Sequence, residues 1–469
     1  MILLNEKKWK TFCLVATSIF MSTLDSSIVN VALPFLMKDF KTDMQTIQWV
    51  MLIYLVTVSA LILTFGRLSD IKGRKPIYIM GFATFTIGSL ICGMAHTALP
   101  LIAARCVQGI GAAMLMACSP AIIVDTFPPK ERGRAMGMIG AVVAAGMTAG
   151  PAIGGLILEY LSWRYIFLIN IPIGIAAIAG GLIIMEKPGY AGKDSEPIDK
   201  IGSLLLIIIL SGFIIFMTKL PNWGILSVQS LCFVSLIIAF TLAFVLNEYR
   251  TPYPLFDMSL LKRRLFLYPV LSAVIIFITI FCTIFIMPFY LVYPCGFSAS
   301  TTGLIMIIPF FFLLVLSPIS GILYESLGSR TLCTAGTIAL LSSLLSLLTI
   351  EPSMDIFPVF WRISLVGIGI ALYISPNSTV IMNNIPINRR GIASGSIATA
   401  RNLGMVIGVA LAGQIFSTCF SDLTNGASLE EYIPAMESFF MISFRRVLIA
   451  GVVFGLIGLW VTVIRGKDS

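Results

Sequence analysis

Gly66-Arg67-Leu68-Ser69-Asp70-Ile71-Lys72-Gly73-Arg74-Lys75 joins two long apolar runs, and a weaker copy, Gly321-Ile322-Leu323-Tyr324-Glu325-Ser326-Leu327-Gly328-Ser329-Arg330, returns 255 residues later. The correspondence widens on both sides. Arg105 recurs as Arg362, each shortly before a Gly-Ile-Gly at 109–111 and 367–369. Gly133, Gly137, Gly146, Gly150 and Gly155 recur as Gly391, Gly395, Gly404, Gly408 and Gly413, all at an offset of 258. Five glycines at one constant offset mark an internal duplication. Where an apolar chain is built from two repeats, a binding site is to be looked for between them.

The composition says which solvent the duplicated unit lives in. Of 469 residues, 58% are hydrophobic and 11% charged, and the mean hydropathy is +0.99. Soluble domains run near 45–50% apolar and 25% charged, so this chain belongs in lipid. Each crossing takes roughly 20 residues, and fourteen apolar runs meet that length. Six lie at about 9–35, 46–69, 76–95, 98–124, 134–159 and 164–185, two at about 201–219 and 226–247, and six at about 266–292, 299–325, 331–350, 356–383, 391–417 and 446–464. The duplication maps the first six onto the last six. The expected fold is therefore an all-α integral membrane protein of fourteen transmembrane helices. Residues 1–190 form one six-helix bundle, 191–262 an inserted pair of helices with linkers at 186–200 and 248–264, and 263–469 a second, pseudo-symmetric bundle.

Basic residues set the orientation. With the N-terminus cytoplasmic, 22 of the 31 Lys and Arg fall on the inner side, six (Lys38, Lys41, Arg164, Lys219, Arg445, Arg446) on the outer, and three inside spans. This is the bias of a multi-pass cell-membrane protein with both termini in the cytoplasm, and it accounts for the formal charge of +9 without nucleic acid as a partner. The first run follows Lys7, Lys8 and Lys10 but is too long for a signal peptide, contains Asp25 and lacks a small-residue cleavage site, so it is expected to be retained. No G-x-x-x-x-G-K-[ST] occurs and His96 is the single histidine, which argues against a nucleotide engine, a metal centre or any cofactor. Nine scattered cysteines read as small core hydrophobes.

Asp25 is the most informative residue. An isolated carboxylate costs several kcal/mol in hydrocarbon, so intramembrane acids face cavities, pair, or carry protons. At 1.5 Å rise per residue, Asp25 lies roughly 22 Å from the inner end of span 1, and Arg105 lies roughly 9 Å below the outer surface of a 30 Å core. The two depths coincide. An Asp25–Arg105 pair serves either as a proton switch, exposed to water in one state and paired in another, or as a static clamp between helices 1 and 4.

Four motifs in order resemble one family. Gly66 to Lys75 is similar to the G-x-x-x-D-x-x-G-R-K signature between helices 2 and 3 of the major facilitator superfamily, and residues 146–155, GMTAGPAIGG, resemble the helix 5 pattern of its exporters. Residues 24–34, LDSSIVNVALP, and 163–172, WRYIFLINIP, are similar to its fourteen-span drug:proton antiporters. The resemblance covers nearly the whole chain. It implies proton-coupled antiport of amphipathic organic compounds by alternating access, with a proton as coupling ion, a lipid bilayer and a small amphipathic substrate as partners, and a monomeric, non-enzymatic protein. It also implies that Asp25 carries the proton and Arg105 tunes it.

The same motifs nominate gating residues. Gly66 admits a close helix, Gly73, Arg74 and Lys75 complete the turn, and Asp70 is expected to pair with Arg132 or Arg134 as a latch; a loop that only fixes orientation is the other reading. Gly146 and Gly150 form a flat stripe and Pro151 a bend, which in the family would seal the seam between bundles. For the substrate cavity the expected residues are Phe281 and Phe285, from a stripe at 277, 281, 285 and 289 that otherwise faces lipid or a helix, with Tyr54 and Gln108 as polar neighbours. Arg362 and Arg401 lie deep in the second bundle, which carries no deep acid, so neutral or anionic amphiphiles fit better than dications. Arg401 binds an anion, snorkels, or bonds backbone carbonyls. An exporter of an endogenous anionic metabolite or lipid, or a carrier without proton coupling, is the alternative.

Overall fold

The chain is described by a computed structural model covering residues 2–185, 199–224, 227–251, 260, 262–353, 355–385 and 390–466. Most of both linkers, 186–198 and 252–259, lies outside the described residues. Every described crossing is helical, because an α-helix satisfies its own backbone where no water can. The helices are α1 (Ile2–Phe40), α2 (Met44–Lys72), α3 (Arg74–Gly93), α4 (Ala98–Thr126), α5 (Pro129–Tyr160), α6 (Tyr165–Leu168), α7 (Asn170–Ile184), α8 (Lys200–Trp223), α9 (Val228–Arg250), α10 (Arg264–Val292), α11 (Ala299–Leu347), α12 (Phe357–Asn383), α13 (Arg390–Leu423) and α14 (Glu437–Ile464). No strand occurs among the described residues.

Two details reconcile this order with fourteen spans. The sixth span is α6 plus α7, interrupted at Ile169, and α11 is two spans joined at Gly328, whose backbone is left-handed (φ 72°). Gly73 between α2 and α3 has φ 88°. The glycine shared by the two copies of the ten-residue motif therefore does the same work twice: it reverses the chain in a conformation that a Cβ would strain. Polar residues start several helices, as where Asp43 accepts from the Thr46 amide at 2.8 Å.

The last span needs correcting. α14 begins at Glu437, nine residues before the expected start, because the apolar residues Phe439, Phe440, Met441 and Phe444 extend its buried face. Arg445 and Arg446 consequently sit inside a helix and not in an outer loop. α1 and α13 also run past their expected ends, to Phe40 and Leu423.

Two bundles result. α1 to α7 pack on one another, with α1 against α4, α5 and α7 and α4 against α2 and α3; α10 to α14 do likewise, with α10 against α13 and α14. The bundles meet chiefly through two related contacts, α5 with α11 and α2 with α13, and α1 also touches α10 and α11. The inserted helices α8 and α9 pair with each other, and α8 docks on α2 and α13 along one seam, tied by Thr64 to Ser203 at 3.0 Å. α9 presents Leu231, Leu236, Leu242 and Leu246 outward, as a lipid-facing helix should.

The glycine stripes serve the bundles more than the seam. Side-chain atoms of Thr23 and Ser27 on α1 occupy the space beside Gly146 and Gly150, and Phe277 and Phe281 on α10 lie against Gly404 and Gly408. These are corresponding contacts inside the two repeats, so the sealing role expected for Gly146 and Gly150 is corrected to packing within the first bundle. The seam itself is closed one turn further along α5. There the Pro151 carbonyl and Gly155 press on Ala299 and Gly303 of α11. α5 runs unbroken through Pro151.

Candidate functional site

The site grows from α1, an apolar helix with a polar seam. Ser18, Ser22 and Asp25 face the first bundle, while Thr23, Ser26, Ser27 and Asn30 border a cavity between the bundles. Asp25 is 1% exposed. Its Oδ2 accepts from Arg105 Nη1 at 2.5 Å, and its Oδ1 accepts from Gln108 Nε2 at 2.8 Å and from Asn170 Nδ2 at 3.2 Å. α4 supplies Arg105 and Gln108 one turn apart, and the interruption at Ile169 precedes Asn170, which joins from the start of α7. The coincidence of depth read from the sequence corresponds to a made ion pair.

Arg105 is wholly buried and spreads over four helices. Its Nε donates to the Val50 carbonyl at 3.1 Å, Nη1 also donates to Gln108 Oε1 at 2.6 Å, and its Cζ stacks 4.1 Å from the Tyr54 ring centre and 5.7 Å from that of Phe167. Gln108 Nε2 reaches Ser89 at 2.8 Å as well. Nη2 of Arg105 is buried without a partner among the described residues. Tyr54 and Gln108, expected in the substrate cavity, belong instead to this cluster, because each is aimed into the first bundle. Asn170 went unnoticed in the sequence, although an amide opening an apolar helix beside a buried acid was a readable signal.

The cavity between the bundles is nearly closed, at about 30 Å³. That is room for about one water. Met51, Met147, Met306 and Met405 line it with Phe281, Phe310 and Asn30. Asn30 Nδ2 donates across the bundles to the Ile284 carbonyl at 3.0 Å. Phe281 lines the cavity as expected, whereas Phe285 is fully buried against α13 and Phe289, with ring centres 5.6 Å apart. The Phe stripe is thus a packing surface, not a lipid-facing one. A separate groove of about 970 Å³ between α1 and α7, lined by Trp9, Leu14, Pro172 and Ile173, opens sideways and contains none of the clustered polar groups.

Arg362 is not in the cavity. Its Nε donates to Ser346 O at 2.9 Å, near the end of α11, and its Nη1 to Pro358 O at 2.7 Å in the first turn of its own helix α12, with its Cζ over Trp361 at 4.5 Å, so it ties the start of α12 to the end of α11. Arg401 does not itself line the cavity but lies on α13 one turn from Met405, which does, and its Nε is shielded and unpartnered among the described residues.

The helix 2–3 turn forms an ionic cluster different from the expected one. Arg74 lies 3.7 Å from Asp70, is ion-paired to Asp125 at the end of α4, and donates to the Ala121 carbonyl at 2.5 Å. Arg132 instead turns its Nε to the Phe127 carbonyl at 3.1 Å, so the Asp70–Arg132 pairing is corrected; Arg74 takes Arg132's place beside Asp70 and shares its charge with Asp125 at the end of α4. Lys75 Nζ donates to Leu182 O and Met185 O at 2.9 and 2.5 Å, closing the carbonyl end of α7. Nothing lies within 4 Å of where a Gly66 side chain would sit, so close approach does not explain that glycine here. Gly133, Gly137 and Gly140 on the same end of α5 are equally uncrowded, in contrast to Gly155 at the other end.

Comparison with known proteins agrees with this architecture. The chain is 33% identical to the riboflavin transporter RibZ of Clostridioides difficile (strain 630) over 88% of its length and 89% of that protein's. It is 31% identical to the multidrug resistance protein Stp of Mycobacterium tuberculosis (strain ATCC 25618 / H37Rv) over 92% and 80%. The fold is similar to the crystal structure of a bacterial homolog of the human lysosomal transporter Spinster, with a TM-score of 0.68, 16% identity and 98% and 97% coverage. The Major Facilitator Superfamily description matches residues 15–409, and with two bundles, fourteen crossings and the glycine-hinged turn between α2 and α3, this multi-pass membrane transporter belongs to that superfamily.

Proposed function

We propose that the protein exports amphipathic organic compounds in exchange for protons, with both termini in the cytoplasm, as a monomer in the bilayer and without a cofactor. The observation that carries the proposal is the Asp25–Arg105 pair, buried in the bilayer and shared by helices α1, α2, α4 and α7. A buried ion pair is a poor stabiliser, since apolar residues of the same volume often serve as well or better. Its retention in a membrane helix points to a carboxyl whose charge changes during work. The captured arrangement suits the ionised form, which accepts three hydrogen bonds. Protonation weakens each of them, loosens α1 from α4, and so favours the arrangement in which the bundles part on the other side. Arg105 returns the proton by restoring the pair.

The cavity lining supports a broad substrate range. Four methionines and two phenylalanines give a soft, polarisable wall that repacks around different apolar bodies. In the present closed form the space is far below the ~300 Å³ that binds a drug-sized molecule, so binding requires the bundles to separate. The relatives named as multidrug resistance proteins lend this reading support.

Purified protein in liposomes tests it. An imposed pH gradient should drive accumulation of a neutral fluorescent amphiphile with wild type and not with Asp25→Asn; transport indifferent to the gradient, or a fully active variant, defeats the proposal. A second reading, carriage of an endogenous heteroaromatic metabolite, is favoured by the relative named as a riboflavin transporter. Competition of riboflavin with the fluorescent amphiphile separates the two.

A further inference from the structure

We infer that Arg401 and Asn402 form a recognition point for the acidic group of the substrate, so that the preferred cargo is an aromatic amphiphile carrying one carboxylate or sulfonate. The inference rests on the transport reading above and deepens it by naming a substrate class. Arg401 Nε and Asn402 Nδ2 are both shielded from solvent and both lack a partner among the described residues. Two neighbouring buried donors without acceptors are unusual, because each orphan donor costs the desolvation of a polar group. Asn402 is 4% exposed, and the described residues give Arg401 no ion pair. The acceptor they lack is therefore not supplied by the described protein.

Their place on α13 says where the acceptor comes from. Positions 401 and 402 are four and three residues from Met405, so the two side chains flank Met405 on the helix surface. Met405 lines the cavity between the bundles. An acidic group presented at Arg401 thus leaves the attached apolar body beside Met405, Phe281 and Met306. The guanidinium offers the planar, charge-assisted pairing that a carboxylate or sulfonate accepts, and the Asn402 amide, on the other flank of Met405, adds a separate donor. Asp25 does not compete for the guanidinium, since its two oxygens are engaged by Arg105, Gln108 and Asn170 in the other bundle.

The test uses a matched series built on one fluorescent aromatic body: the free acid, its methyl ester and the corresponding amine. Binding to the purified full-length protein in detergent is measured at equilibrium without any gradient, so a failure of proton coupling leaves the result intact, and a failure here leaves the coupling test intact. Wild type should bind the acid about tenfold or more tightly than the ester, the scale of a charge-assisted hydrogen bond, and the amine most weakly. Arg401→Gln should bring the acid-to-ester ratio near one, Arg401→Lys should restore part of it, and Asn402→Leu should lower it. Thermal unfolding of each variant confirms that it is folded. A wild-type ratio near one, or a ratio that survives Arg401→Gln in folded protein, overturns the inference.

Discussion

Asp25 and Ser26, neighbours on α1, look in different directions: the carboxyl turns into the first bundle onto Arg105, and Ser26 borders the cavity between the bundles. In the proposed antiport, proton and substrate therefore meet α1 on separate faces and do not share a site. Asp25→Asn should retain substrate binding at equilibrium while pH-driven transport falls at least tenfold. Wild-type export should speed up when the compartment opposite the termini is acidified, and the variant should ignore that change. Equal loss of binding and transport in the variant would show one shared site.

Arg105 and Asp25 form a pair whose members cannot be removed singly without cost. Arg105→Met strands a carboxylate that is 1% exposed, a loss of about 3–5 kcal/mol for a broken buried pair. The double variant Asp25→Leu with Arg105→Met should recover most of that loss and remain inactive in proton-driven transport. Thermal unfolding in detergent reads the first effect, liposome transport the second. A double variant no more stable than Arg105→Met removes the argument that the pair is kept for function.

The closed seam opposite the termini rests on Gly303, where an added methyl would collide with the Pro151 carbonyl oxygen. Gly303→Ala should push α5 and α11 apart at that end and shift the population toward the form open there. Spin labels at Tyr160 and Leu304, both exposed, read the separation. Gly150→Ala collides instead with the Ser27 hydroxyl inside the first bundle. It should lower stability and leave the label distance alone. Identical responses from the two variants would erase the distinction between seam and bundle.

Depth, span number and duplication were legible in the sequence because they follow from periodicities: 1.5 Å per residue brought Asp25 level with Arg105, and the repeated glycine marked both turns. Direction was not legible. Whether Gly150 faces Ser27 or α11, or whether Gln108 faces the cavity or Asp25, depends on which neighbour occupies each side of a helix apolar almost all round, and the pattern is silent there. Competition between partners was equally hidden. Asp70 had two candidate arginines in sequence, but the end of α4 brings Asp125 to Arg74, and Arg132 finds a carbonyl of its own.

Arg362 gives the sharpest contrast between position and role. As the repeat counterpart of Arg105 it was expected at the cavity, yet its guanidinium joins the Ser346 carbonyl near the end of α11 to the Pro358 carbonyl at the start of α12 and stacks on Trp361. Among the described residues no carboxylate pairs with Arg362: Thr279, fifteen residues from the start of α10, spends its hydroxyl on the Ile275 carbonyl at 3.2 Å. Without that partner the guanidinium goes to other acceptors, the Ser346 carbonyl near the end of α11, where its charge is also favoured, and the Pro358 carbonyl one turn back in its own helix. Arg362→Ala should therefore cost about 1–2 kcal/mol of stability and leave the affinity for acidic and neutral amphiphiles within about twofold, a difference of roughly 0.4 kcal/mol. Equilibrium unfolding and fluorescence binding on the same preparation measure both. Loss of affinity without loss of stability would return Arg362 to the substrate path.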